Sequence, residues 1–85
     1  MTAPRSDSVR LDIRTILTRL ADGHPFSDQE DVFDRGVVRS MNLLELIEHI
    51  EDTYHFRIEQ RDVFDGHLKS VDRLVEFIAS RTEVA

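Results

Sequence analysis

Ser40 is the residue of this chain best placed to do chemistry. It follows Asp31-Val32-Phe33-Asp34-Arg35-Gly36-Val37-Val38-Arg39 and opens an apolar, acidic run that begins Met41-Asn42-Leu43-Leu44-Glu45. A hydroxyl at the mouth of a helix has two uses. It can cap the helix, its oxygen accepting an orphan backbone N–H, and that is the ordinary use of a serine in this position. It can also be esterified and serve as an attachment point. A helix N-terminus carries unpaired N–H groups and a partial positive charge worth roughly 0.3–1 kcal/mol to a nearby anion, so a phosphodiester on such a serine is tolerated.

Other reactive constellations lack the right spacing. The chain has no Cys, which removes disulfides, thiolate nucleophiles and Cys-containing zinc sites. Asp34 and Glu45 fall at the first and twelfth positions of a calcium loop, but Gly36, Val38 and Arg39 stand where that loop needs its ligands and glycine. His24, His49, His55 and His67 form no i, i+4 pair on a helix and have no acidic partner at zinc-hydrolase spacing, so a solvated or packing role is the expectation for each. There is no Gly-x-Ser-x-Gly elbow and no Gly-x-x-x-x-Gly-Lys phosphate loop. A self-contained enzyme and a metal site are therefore not expected.

The elements that must position Ser40 follow from apolar periodicity. Val9, Ile13, Ile16, Leu17 and Leu20 recur at helical spacing and predict an amphipathic helix from about Ser8 to Ala21, stopped by Gly23 and Pro25. A long polar connection, Asp22 to Arg39, follows. Its apolar anchors are Phe26, Val32, Phe33, Val37 and Val38, and so long a loop in a small domain is usually functional or packed down. A second helix is predicted from about Ser40 to Tyr54, with Met41, Leu44, Ile47 and Ile50 along one stripe and Leu43, Leu46, Ile50 and Tyr54 beside it. It carries Glu45, Glu48, Glu51 and Asp52 without a Lys or Arg, so its exposed face should be strongly negative. The stretch His55 to Ile58 alternates too briefly for a strand, and Glu59 to Asp65 should make one or two helical turns ended by Gly66. In the last helix Ser70 is the N-cap, Asp72 sits in the first turn and Val71, Leu74, Val75 and Ile78 are buried, with Arg81 suiting the terminal dipole.

The sum is an all-α, four-helix bundle of three main helices and one short one, with a long first loop. The expected boundaries are one domain over 1–85, a core from about 8 to 82, and flexible tails at 1–7 and 83–85. A chain of this size buries only about 60% of the surface its unfolded form exposes, so its core must come from helix packing. The N-terminal residues lack an apolar signal core, and no run of about 18 uncharged apolar residues exists, so a soluble, cytoplasmic monomer is expected. Eleven Lys plus Arg against seventeen Asp plus Glu leave a net charge of −6, which repels phosphate backbones and anionic headgroups. Neither nucleic acid nor membrane insertion is expected.

Read together, Asp31-Val32-Phe33-Asp34-x-Gly36-Val37-Val38-x-Ser40-Met41, Glu45-Leu46-Ile47 and Glu51-Asp52-x-Tyr54-x-Phe56-x-Ile58 resemble the phosphopantetheine attachment region of acyl and peptidyl carrier proteins. Discrete carriers, including D-alanyl carrier proteins, are the most similar. Asp62-Val63-Phe64-Asp65 and the run Ser70 to Ile78 resemble the third and fourth helices of that family, so the likeness spans about Val9 to Arg81. The resemblance implies a non-catalytic carrier on which a phosphopantetheinyl transferase mounts 4′-phosphopantetheine from coenzyme A at Ser40. The arm would hold an acyl or aminoacyl thioester between a loading ligase or acyltransferase and a downstream synthase or transferase. Partners would meet Arg39, Met41, Leu43, Glu45, Glu48, Glu51 and Asp52, with Met41 equally able to be core. Carriers of this family usually place Asp directly before the modified serine, whereas this chain has Arg39, a reversal of charge that bears on which transferase accepts it. The alternative is a degenerate carrier fold that acts as an interaction module without the arm.

Overall fold

A computed structural model describes residues 5–82. Its helices are α1 (Ser6–Leu20), α2 (Leu43–Tyr54), α3 (Gln60–Phe64) and α4 (Val71–Thr82), with a 3-10 turn at Ser40–Asn42 directly before α2 and no strand among the described residues. The four-helix, all-α architecture expected from periodicity is present. The Cα radius of gyration, 12.1 Å, agrees with the roughly 12 Å that a folded chain of this length adopts. No helix among the described residues is long and apolar enough to cross a membrane.

The helix α1 forms because its apolar residues fall on one face, and Val9, Ile13, Ile16, Leu17 and Leu20 are all buried. It begins at Ser6, two residues before the expected start, so Ser6 and Asp7 belong to the helix and not to a tail. Asp7 in the first turn suits the helix dipole. Arg5 precedes the helix and its carbonyl accepts the Val9 N–H at 3.0 Å, while the remaining tail residues, 1–4 and 83–85, lie outside the described residues. Asp22 and Gly23, at φ 53° and 88°, turn the chain out of α1. The principal helix pair is α1 with α4, which contributes Val71, Leu74, Val75, Phe77 and Ile78 to the core. Ser70 caps α4 as expected, its Oγ accepting the Arg73 N–H at 3.2 Å.

The long loop between α1 and the 3-10 turn is packed down at chosen points. Val32 and Val38 are fully buried. The Val32 N–H donates to the Lys69 carbonyl at 2.9 Å, and the Val38 N–H donates to the Val32 carbonyl at 2.9 Å. Asp28 accepts charge-assisted hydrogen bonds from Arg10 (2.7 Å) and Arg14, and Arg10 also reaches Asp72 at 2.7 Å, so one ionic cluster joins α1, the loop and α4. Burial opposes the charge on Asp28, but the bonds from Arg14 and Arg10 outweigh it and hold its pKa below the ordinary carboxylate value.

Three details depart from the sequence reading. The second helix does not run unbroken from Ser40: the Asn42 N–H bonds the Arg39 carbonyl at 2.9 Å, and the Leu43 N–H bonds the Ser40 carbonyl. This i to i+3 pattern winds Ser40–Asn42 more tightly than an α-helix. The buried stripe of α2 is Leu46 and Ile50, flanked by half-buried Leu43, Ile47 and Tyr54, whereas Met41 and Leu44 are 75% and 64% exposed. An i, i+3 series drifts around a helix that advances about 100° per residue, and it carries Leu44 more than about 100° from Leu46 and Ile50. Arg81 also does more than suit the dipole. Its Nη2 donates to the buried carboxylate of Asp62 at 2.6 Å, whose other oxygen accepts the Glu59 N–H at 2.8 Å and fixes the start of α3.

Candidate functional site

The approach to Ser40 is built from alternating constraint and exposure. Asp31 Oδ1 accepts the N–H groups of Phe33 (3.1 Å) and Asp34 (2.9 Å), an Asx turn that bends the loop. Gly36 then takes φ +74°, a left-handed conformation that favours glycine, and its N–H donates to the Phe33 carbonyl at 3.1 Å. Val38 is wholly buried, Arg39 is extended at φ −78° and ψ 148°, and Arg39 and Ser40 are exposed. A buried anchor thus stands two residues before an exposed serine.

Ser40 does not cap α2. It is the first residue of the 3-10 turn, and neither cap position, Arg39 before the turn nor Asn42 before α2, uses its side chain for capping. The difference arises because the turn's own i to i+3 bonds move the α-helical start to Leu43. The serine is therefore relieved of the structural duty that the sequence pattern suggested.

The remaining expected site residues divide. Met41 and Leu44 form an exposed apolar pair next to Ser40, so Met41 is surface and not core. Leu43 is half-buried against the core and is not a free contact. The four acids do not make one uniform face. Glu45 pairs with Arg19 at 2.6 Å. Glu51 accepts the Ile58 N–H at 2.8 Å, a bond that secures the chain after α2, and lies 3.9 Å from Arg57. Glu48 and Asp52 are exposed and have no cationic partner among the described residues. The unpaired charge of this face is thereby reduced to Glu48 and Asp52, with Glu45 held in an exposed pair.

Sequence reasoning missed a polar cluster between α1 and α2. Asp12 Oδ2 accepts hydrogen bonds from Tyr54 OH (2.8 Å) and His49 Nε2 (2.9 Å), and its Oδ1 lies 3.1 Å from the same nitrogen. Burial, then the hydrogen bond to Asp12 and its charge, raise the Tyr54 pKa. No local pattern announces a trio separated by 37 and 42 residues. His67 instead stacks on Phe77, ring centroids 4.8 Å apart, and so serves packing, whereas His49 is held by the Asp12 carboxylate. Among the described residues no group of three His, Asp or Glu side chains is arranged to hold a metal ion.

An open groove of about 700 Å³ lies close by, lined by Arg39 and Asn42 but not by Ser40 itself, and its charged residues Arg19 and Arg39 are matched by Asp22 and Glu45. Its walls are the C-terminal end of α1 (Arg19, Leu20), the loop (Gly36, Val37) and the start of α2, where Arg39 and Asn42 bracket Ser40 in the chain. No protein-family model, curated protein or solved structure matches the chain.

Proposed function

We propose that this protein is a discrete acyl or aminoacyl carrier whose 4′-phosphopantetheine arm is borne on Ser40 Oγ. The observation that carries the reading is an exposed serine without a capping role, two residues beyond the buried anchor Val38 and at the start of the 3-10 turn that leads into α2. A carrier needs a flexible arm on a fixed base, and the Asx turn at Asp31, the bonds of Val32 and Val38, and the 3-10 turn supply that base. In attachment the serine hydroxyl gives its proton to a base of the transferase, its oxygen bonds the phosphorus that bears the pantetheine, the phosphoanhydride of coenzyme A breaks, and adenosine 3′,5′-bisphosphate leaves. A phosphopantetheinyl transferase performs that step. The carrier performs no chemistry of its own.

The surface beside Ser40 supports a sequence of brief encounters with a loading ligase or acyltransferase and a downstream synthase or transferase. Met41 and Leu44 offer a small apolar contact, and Glu48 and Asp52 offer unpaired charge to a basic partner patch. Rim pairs of this kind are worth about 0.2–1 kcal/mol each, enough to orient and accelerate docking without trapping the complex. Arg39 is the feature that favours the second reading, an interaction module that has lost its arm, because it reverses the charge that carrier-like sequences place before the serine.

Incubation with coenzyme A and a broad-specificity transferase, read by intact-mass spectrometry, separates the two. The carrier reading predicts a gain of one phosphopantetheine that Ser40→Ala abolishes, and faster modification of Arg39→Asp. It fails if neither the natural chain nor Arg39→Asp gains mass, or if the gain survives Ser40→Ala.

A further inference from the structure

We propose that Asp22–Gly23, the turn that leads the chain out of α1, is a site of spontaneous isoaspartate formation, whereas the same dipeptide at the end of α3 is protected by the fold. Asp-Gly-His occurs twice, as Asp22-Gly23-His24 and as Asp65-Gly66-His67. In an Asp-Gly pair the main-chain nitrogen reaches the preceding side-chain carboxyl with little obstruction, because glycine has no Cβ. With the same three residues at both places the intrinsic chemistry is alike, and the surroundings decide. The inference is independent of the carrier reading of Ser40.

Ring closure requires the peptide between the two residues to turn until the glycine nitrogen meets the aspartate Cγ. Little resists that motion at Asp22–Gly23. Both residues are exposed, and neither the Asp22 carbonyl nor the Gly23 N–H has a hydrogen-bond partner among the described residues. Apart from the chain neighbours, nothing lies within 4 Å of the position a Cβ would take on Gly23. Asp22 is held at φ 53°, a left-handed conformation that a side chain disfavours, so this turn belongs to the part of the molecule that opens at low cost.

The second copy is fastened on all sides. The Asp65 N–H donates to the Arg61 carbonyl at 2.8 Å, the Gly66 N–H to the Val63 carbonyl at 3.0 Å, and the Gly66 carbonyl accepts the Lys69 N–H at 3.4 Å. Gly66 is buried, with Lys69 Cδ and Cε at 3.4 and 3.5 Å and Arg73 Nη1 at 3.8 Å from its Cβ position. Turning that peptide undoes the end of α3.

The reaction consumes nothing but water. The Gly23 nitrogen bonds Cγ of Asp22 in its acid form, the amide proton and the carboxyl hydroxyl leave as water, and a succinimide ring results. Water then adds to one of the two ring carbonyls. Addition at Cγ restores aspartate, while addition at the main-chain carbonyl breaks its bond to nitrogen and leaves the chain running through Cβ and Cγ with a free α-carboxylate. That carboxylate is the group an isoaspartyl methyltransferase esterifies with the methyl of S-adenosylmethionine, so a repair enzyme of this class is the implied partner. The extra backbone carbon falls between Ala21 and His24, where the His24 N–H reaches the Ala21 carbonyl at 3.1 Å and the ring Nδ1 reaches it at 2.8 Å. Those two bonds should be lost, while the buried face of α1 ahead of them is kept.

Peptide mapping of aged protein tests the site. The full chain is kept at neutral pH, folded and in parallel unfolded in guanidinium chloride, until the unfolded control has isomerised at both Asp-Gly pairs. Trypsin then yields 20–35 and 62–69, each with one of the pairs, and fragmentation locates the isoaspartate. In the folded chain Asp22 should convert at nearly the unfolded rate and Asp65 at least about tenfold more slowly. Ageing in oxygen-18 water should label the isoaspartyl form of 20–35, and Asp22→Glu, whose ring would be six-membered, should abolish conversion there. Equal folded rates at the two pairs, an Asp22 protected about tenfold or more against the unfolded control, or an isomer without the label overturns the proposal.

Discussion

The α1–α4 side of the molecule and the Ser40–α2 edge use the same residue types for opposite ends. On α4, Val71, Leu74 and Ile78 are fully buried, while at the start of α2 Met41 and Leu44 stand in solvent. The ionic groups divide in the same way. Arg10, Arg14, Asp28 and Asp72 form a closed cluster, and Asp62 is buried with Arg81 on one oxygen and a backbone N–H on the other. Glu48 and Asp52, by contrast, are exposed without cationic partners among the described residues. The first side closes its main ionic groups on one another, although Leu11 on α1 is 69% exposed, and the second leaves adjoining apolar surface, unpaired charge and an exposed serine. Under the carrier proposal stability and function fall on separate faces, so substitutions should separate them too.

The largest effect should come from a cavity in the stable side. Leu74→Ala is expected to cost about 2–5 kcal/mol in urea unfolding, a large share of the stability of so small a domain. Leu44→Ala, at 64% exposure, should stay within about 0.5 kcal/mol. Equal losses would erase the distinction. Ile47, half-buried on α2, should fall between the two.

Asp62→Ala should cost about 1–3 kcal/mol, because it strands the Glu59 N–H and deprives Arg81 of its partner. A thermal melt unchanged by this substitution would show that the buried pair does not fasten α3 to α4. A smaller contribution should appear on acidification. The pKa of Asp28 is lower in the folded chain than in the unfolded one, so its stabilisation is complete above the unfolded value of about 4 and is lost as pH falls through the folded value. Unfolding midpoints measured between neutral and strongly acid pH should decline less steeply in Asp28→Asn. An identical slope would remove Asp28 from the account.

Glu48→Lys should have the smallest effect on folding, within about 0.5 kcal/mol. It should nevertheless slow association with a basic partner enzyme in stopped-flow measurements, most clearly at low salt, since screening acts over about 8 Å at physiological ionic strength. Unchanged association at every salt concentration would return Glu48 to a merely solvated residue.

The stable side was the more legible in the sequence because burial there imposes a period. Val9 to Leu20 and Val71 to Ile78 repeat at helical spacing, and the Ser70 cap and the Gly66 stop carry local signals that the structure bears out. The α2 edge was less legible for a physical reason: a helix that presents apolar residues to both core and solvent has two overlapping stripes, and spacing alone did not decide between Leu44 and Leu46. The 3-10 turn at Ser40 left no compositional mark, and so the capping expectation failed. The Asp12–His49–Tyr54 cluster and the Arg19–Glu45 and Asp62–Arg81 pairs depend on distant segments meeting, which periodicity does not report. For the same reason the acidic run appeared uniform although Glu45 and Glu51 are engaged. The exposure of Ser40 and the depth of Val38 emerged only with the folded loop.

The central claim is that Ser40 is relieved of structural duty because it carries an arm. The most direct test is the intact mass of the protein purified from its native host, with the modified peptide mapped by fragmentation. The account predicts a population heavier than the bare chain by one phosphopantetheine, with or without a thioester cargo, and all of the added mass on Ser40. A protein that does its work in that host with Ser40 uniformly unmodified would contradict it.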